Sequence, residues 1–345
     1  MLLWIEGFEG FGSAIGSPPS PTGVIARKYS SVFNESDMDI ETGRLGGYCI
    51  ELPYTGRTIY LTPEALTTDS MLIVGVAVQF TKLGASSFLR FYDGATLGMN
   101  VRLTLDGEFA VYRGTTLLAT TSGLGIQIAT WYYVEFKVIC HSSTGSYEVR
   151  IGETNVLSAS GVNTQAGSHV YHTTFQLAQY TADVPTRFDD VYCLDGSGAM
   201  NNDFLGNMRV CAIYPNADTV AKAWTRSGGA DNYALVDEVV CDDDVTYVES
   251  ELTDQKDLYD YSVLSGIPSA IKGIQVNTIC RETDAETFSL ITVVKSGATE
   301  SDDSPQVIGT SSYISKRRNL ELDPDTGVAW TVEGINAVQV GIKVG

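Results

Sequence analysis

The residues whose types and spacing could do chemistry are few. Glu282, Asp284 and Glu286 alternate as E-x-D-x-E, which on a strand sets three carboxylates on one face, the equipment of a retaining glycosidase. They follow Cys280-Arg281 between two apolar runs, and a solvated turn is the expected state of such a segment. Asp189-Asp190 and Asp242-Asp243-Asp244 cluster the hard oxygen ligands that Ca2+ takes. Asp189 and Asp190 stand at the mouth of a strand, where structural hydrogen bonding is expected, and the triplet reads as an acidic turn. His169 and His172, three apart in a strand-like segment, point to opposite faces and share no metal. Trp224 precedes Thr225-Arg226-Ser227-Gly228-Gly229 and is the candidate ligand contact, an indole offered to a sugar ring, with a packed loop anchor as the alternative.

Absent patterns narrow the chemistry further. The chain has no G-x-S-x-G elbow, H-E-x-x-H helix, Walker A loop or strand-turn-helix G-x-G-x-x-G, each of which needs a geometry supplied by flanking elements. No catalytic residue, cofactor or bound metal is expected, and a non-enzymatic role follows as an expectation. The six cysteines (Cys49, Cys140, Cys193, Cys211, Cys241, Cys280) include no C-x-x-C pair and sit mostly in apolar strand contexts, where buried thiols are expected rather than disulfides.

The positioning elements are strands. At 345 residues with 34 Gly, 18 Tyr and 43% hydrophobic content, the chain has the composition of a turn-rich all-β protein with two domains. The formal net charge of −20 is spread, with 19 acidic and 11 basic side chains in residues 1–200 and 23 and 11 in the rest. Such a field repels phosphate, so nucleic acid is excluded as a partner and docking on anionic lipid is disfavoured. The opening MLLWIEGFEG has neither a basic leader nor the length of a membrane span, so synthesis in a cytoplasm and no membrane insertion are expected.

Met71–Phe80 (MLIVGVAVQF) is apolar on both faces, as in a central strand covered on both sides. Asp106-Gly107 marks a hairpin between Val101–Leu105 and Phe109–Arg113. Trp131–Ile139 alternates Tyr132, Val134, Phe136 and Val138 against Glu135 and Lys137, a half-buried strand whose hairpin partner is Ser146–Ile151. Phe188–Leu194 is placed against the opening strand, Gly196–Asn202 as a hinge, and Met208–Ile213 as the start of the second sheet. Asn216–Trp224 is given a helical turn. Domains at 1–199 and 200–345 are expected, both β-sandwiches of the jelly-roll kind.

The WYYVEF strand, the hairpin to GSYEVRIG and the late FDDVY strand resemble concanavalin A-like, laminin-G-like jelly rolls over about residues 1–198. With NNDFLGNMRV, NYALVDE at Asn232–Glu238 and DPDTGVAWT at Asp323–Thr331, most of the chain is similar to structural proteins of tailed bacteriophages that carry such a domain before a second β domain. The resemblance implies a virion protein made in the host cytoplasm and associated with the tail as fibre, adaptor or tip. Capsid-surface decoration, a head fibre and a carbohydrate-binding adhesin are the alternatives, with a glycoside hydrolase behind them. Expected partners are other virion proteins, copies of the chain itself in a homo-oligomer such as a trimer, and a host surface glycan.

Overall fold

The computed structural model describes residues 1–12, 23–53, 58–180, 184–283 and 288–345. It divides into two compact units, Met1–Val210 and Cys211–Gly345. Antiparallel ladders dominate both, so the chain is all-β with sandwich-like domains.

The first unit contributes β1 (Leu2–Glu6), β2 (Ser31–Phe33), β3 (Asp39–Thr42), β4 (Tyr48–Leu52), β5 (Ile59–Thr62), β6 (Met71–Phe80), β7 (Ser86–Asp93) and β8 (Thr96–Leu103). It continues with β9 (Phe109–Arg113), β10 (Thr116–Thr120), β11 (Trp131–Ile139), β12 (Gly145–Ile151), β13 (Thr154–Val162), β14 (Thr174–Gln179) and β15 (Thr186–Asp195). An eight-stranded sheet has the order β13-β12-β11-β6-β15-β4-β3 with β1 joined to β15, and a seven-stranded sheet has the order β10-β9-β8-β7-β14-β5-β2. Leu72, Val74, Val76, Val78 and Phe80 of β6 share one core with Leu89 and Phe91 of β7 and with Phe175 and Leu177 of β14. Every second residue of each strand therefore enters the space between the sheets. Ile73 and Ala77 of β6 belong to a separate apolar cluster with Leu2, Tyr133, Tyr192 and Leu194, which is why β6 reads as apolar on both faces. Gly75 is required there, since a Cβ would meet the Tyr192 ring at 2.2 Å.

Several expectations hold. The β11–β12 hairpin pairs Glu135 with Arg150 and Phe136 with Val149, and β1 lies on β15 with Ile5 opposite Tyr192 and Trp4 opposite Cys193. β8 and β9 join through Thr104–Glu108, with Gly107 at φ 73°. None of the six cysteines is joined in a disulfide; Cys49, Cys140 and Cys193 are buried, whereas Cys211, Cys241 and Cys280 are half-buried.

Other expectations are corrected. The face of β11 that bears Glu135 and Lys137 was expected to be wet, yet Glu135 is 1% exposed. Residues 203–208 cover it: the Gly206 N–H donates to Glu135 Oε1 at 2.8 Å, Lys137 pairs with Asp203 at 2.8 Å, and Phe204, Leu205 and Met208 pack on the outer apolar cluster. Met208–Ile213 consequently forms no strand.

The second unit contributes β16 (Pro215–Lys222), β17 (Thr225–Arg226), β18 (Val248–Glu249), β19 (Lys256–Tyr261), β20 (Ile274–Cys280), β21 (Ser289–Ser296), β22 (Thr299–Asp302), β23 (Gln306–Val307), β24 (Ile314–Leu320) and β25 (Gln339–Val344). A six-stranded sheet has the order β16-β19-β25-β21-β22 with β23 on β21, while β17–β18 and β20–β24 form separate ribbons. Asn216–Trp224 is mainly the strand β16 rather than a helical turn, held by pairing Ala217 with Asp260 and Asp218 with Tyr259. Strands β20 and β25, both of which alternate apolar with polar residues, belong to different sheets. Ile274 and Val276 of the ribbon pack with Val294, Trp330, Val338 and Val340 of the larger sheet's side.

Candidate glycan-binding face

The outer face of the seven-stranded sheet carries the side chains that alternate with its core residues. Strand registers place Thr62, Gln176, Arg90, Asn100 and Tyr112 in one row across β5, β14, β7, β8 and β9. Arg90 is the centre of the row. It is 5% exposed, its Nη1 donates to Gln176 Oε1 at 2.6 Å, and its guanidinium lies 4.0 Å from the Tyr180 ring centroid and 5.2 Å from that of Tyr92. The Tyr92 hydroxyl also donates to Gln176 Oε1, at 3.3 Å, while Gln176 Nε2 donates to Thr62 Oγ1 at 3.0 Å. Gln176 is thereby fixed with its oxygen towards the arginine. Burial lowers the Arg90 pKa, and the two tyrosines act in the opposite sense; Arg remains a cation because its ordinary value is so high.

A second guanidinium stands beside the first. Arg102 Nε donates to Asn100 Oδ1 at 2.9 Å, and its guanidinium is 3.9 Å from the Tyr112 ring centroid. Asn100 is fully buried and held by Ser87 Oγ at 3.1 Å and by its own donation to the Gly114 carbonyl at 3.1 Å. Towards the β2 edge, Phe33 stacks on Tyr60 with centroids 5.2 Å apart and planes at 9°. Phe33 is 47% exposed and Tyr180 45%. The face thus combines flat aromatic surface with preoriented guanidinium and amide groups. Aromatic planes take up the apolar face of a sugar ring, and fixed polar groups bind its substituents.

The residues marked in the sequence lie elsewhere. Asp189 and Asp190 sit at a bulge inside β15, where pairing to β6 slips between Asp189 and Tyr192 and Asp190 takes φ 50°. Asp190 pairs with Arg44 at 2.7 Å and accepts from the Val210 N–H at 2.7 Å. Arg44 also donates to Asn207 Oδ1 and the Met208 carbonyl. Asp189 accepts from the backbone N–H of Arg44 and of Asp190, and burial with the adjacent Asp190 carboxylate pushes its pKa up to about 7. The pair fastens residues 207–210 to the outer surface of the eight-stranded sheet.

Trp224 is half-buried, with its indole N–H on the Gln255 carbonyl at 3.0 Å and its backbone N–H on Asp257 at 2.8 Å. Asp242 caps its own turn by accepting from Thr246. His169 bonds Asp93 at 2.7 Å, whereas His172 is buried against Phe91 and its pKa falls to about 4 through desolvation. Of the carboxylate triad, Asp284 and Glu286 lie outside the described residues, and Glu282 accepts from the Phe288 N–H at 2.7 Å. Among the described residues no group of three or more His, Cys, Asp or Glu side chains is placed to hold a metal.

Sequence reasoning missed the sheet face because its members come from five strands. The available signal was an arginine or glutamine interrupting an apolar strand, as in FLRFYD and TFQLAQ.

No protein-family model matches the sequence, and no curated protein matches it. Solved structures with a similar fold include an endo-β-1,4-glucuronan lyase from the fungus Trichoderma reesei, at 11% identity, 48% of this chain, 90% of that chain and a TM-score of 0.36. The alginate lyase Aly36B is similar at 12% identity over 55% of this chain and 96% of that one, TM-score 0.39. The binding domain of Paraclostridial Mosquitocidal Protein 1 is similar at 12% identity over 56% and 48%, TM-score 0.38. The expectation of a non-enzymatic chain is corrected by this set, in which lyases stand beside binding domains. No activity passes from them to this chain at such identities.

Proposed function

We propose that this chain is a carbohydrate-binding component of a tailed-bacteriophage virion, carried at the tail as fibre, adaptor or tip, with the outer face of the seven-stranded sheet as its glycan surface. The observation that carries the glycan part is the row through Arg90, Gln176 and Asn100, in which buried polar groups are locked in place between aromatic rings. Preorganised groups of this kind bind without the entropy loss of ordering flexible side chains. The virion part is supported by the sequence resemblance through WYYVEF, GSYEVRIG, FDDVY and NNDFLGNMRV. Assembly into a homo-oligomer, with other virion proteins as neighbours, belongs to the same proposal.

Two measurements test it. Antibody labelling of intact particles by electron microscopy is expected to mark the tail; label on the head would replace the tail assignment with capsid decoration, and no label would remove the virion role. A glycan array probed with the full chain is expected to give saturable binding that Tyr60→Ala and Tyr180→Ala weaken. Binding unaffected by both changes would move the glycan surface elsewhere.

A further inference from the structure

We infer that the sheet face selects carboxylate-bearing sugars, with Arg90 and Arg102 as the carboxylate receptors; this rests on the proposed glycan surface and narrows its ligand class. The chain carries 42 acidic against 22 basic side chains, so an arginine finds an acidic neighbour readily. Three others in the same unit do: Arg44 pairs with Asp190 at 2.7 Å, Arg150 with Glu148 at 2.6 Å and Arg187 with Glu51 at 2.7 Å, while Arg113 donates to the Asn163 carbonyl at 3.3 Å. Arg90 and Arg102 differ. Among the described residues neither has a carboxylate partner, and the groups that act on Arg90 are Tyr92, Tyr180 and Arg102 itself.

Two like charges held together on one sheet face are repulsive unless something of opposite sign joins them. The partners they do have are neutral, the amide oxygens of Gln176 and Asn100 and, for Arg90, the Tyr180 side chain, which orient each guanidinium and leave its charge uncompensated. Arg90 Nε, on a residue 5% exposed, has no hydrogen-bond partner, whereas buried polar atoms are ordinarily satisfied. A carboxylate brings the complementary charge and the planar two-oxygen geometry that a guanidinium recognises. The rings of Tyr180, Tyr92 and Tyr112 beside the two guanidinium groups offer apolar surface to the rest of a pyranose. A neutral sugar uses the rings but leaves both cations unpaired.

The test is calorimetric titration of the full chain with a uronic-acid oligosaccharide and with the same oligosaccharide after its carboxyl groups are reduced to alcohols. Wild type is expected to bind the acidic form at least tenfold more tightly, with the difference shrinking as salt rises. Arg102→Gln, at a half-exposed position, is expected to reduce that preference by about tenfold, the scale of one charged hydrogen bond. It should leave the thermal melt in place and lower the affinity for the acidic form by more than that for the reduced form. Arg90→Gln is the second variant, read only where its melt matches wild type. Equal affinity for acidic and reduced forms overturns the inference and leaves the glycan surface standing. Binding of neither form, with array binding of other glycans intact, also overturns the inference alone. Acidic binding that survives Arg102→Gln and a folded Arg90→Gln removes the site, and no saturable binding to any glycan removes the glycan surface with it.

Discussion

The two units are built from similar strands and hold them in different ways. Among the described residues, Met1–Val210 buries 47 apolar side chains and Cys211–Gly345 buries 12. The first closes two broad sheets over one another, and the second covers a six-stranded sheet with a two-stranded ribbon and the segment that carries Trp330, Ile335 and Val338. Hydrophobic stabilisation scales with the apolar area removed from water, so the first unit is held by its core. The second relies on polar junctions such as Asp257, which is fully buried and accepts from the Ala223 and Trp224 N–H groups, Asn232 Nδ2 and the Tyr259 hydroxyl. A rigid sandwich suits a fixed array of ligand groups. A thin core suits a unit whose strand surfaces are completed by other chains.

The sharpest way to break that contrast is to damage each unit where it is strongest. Phe136 is fully buried with its ring 4.8 Å from Phe91, so Phe136→Ala is expected to cost about 3–5 kcal/mol. Scanning calorimetry should show the transition of the first unit falling while the second stays. A common shift of all unfolding would mean one cooperative body. Asp257→Ala should cost the second unit about 2–4 kcal/mol, because four donors lose their acceptor in a buried site. A loss comparable to a simple methyl deletion would show that its strands are held by apolar contact after all.

How much was legible in the sequence follows the same division. The β11–β12 hairpin and the docking of β1 on β15 were readable, since strict alternation of apolar residues fixes which face enters the core. Residues 203–208 were not, because Asp203-Phe204-Leu205-Gly206 has no period and its partners, Glu135 and Lys137, present themselves as ordinary solvent-side charges. Asn216–Trp224 looked helical for want of a visible partner; the strand exists because β19 lies beside it. The candidate face was invisible for a further reason. Arg90, Asn100 and Gln176 are separated in sequence and meet only through strand registers.

A pH titration sharpens the comparison within the first unit. Asp189 has its pKa raised to about 7 when folded against an ordinary 3.8. Between those values the folded state holds a proton that the unfolded chain has released, so stability falls as pH rises. His172 is lowered to about 4 from 6.5, so from pH 4 to 6.5 the unfolded chain holds the extra proton and stability rises with pH. The two slopes oppose each other over about pH 4–6.5. Asp189→Asn is expected to expose the rise and His172→Gln to expose the fall, each read from urea midpoints across the window. The changes should appear in the first unit's transition alone; a matching change in the second would break the separation between them.

The smallest effect is the most informative about the second unit. Val220 is fully exposed, and Val263, Val245 and Ile267 also stand well out into solvent. In an isolated chain Val220→Ser exchanges one hydrated side chain for another, so its unfolding midpoint at micromolar concentration should move by less than about 0.5 kcal/mol. The proposed homo-oligomer gives the same change a second, concentration-dependent signature. If another copy covers Val220, wild-type stability rises with protein concentration through mass action, and Val220→Ser flattens that rise while leaving the dilute value alone. A midpoint independent of concentration for both proteins would leave Val220 outside any self-association surface, and the thin core of the second unit would then have to be sufficient by itself.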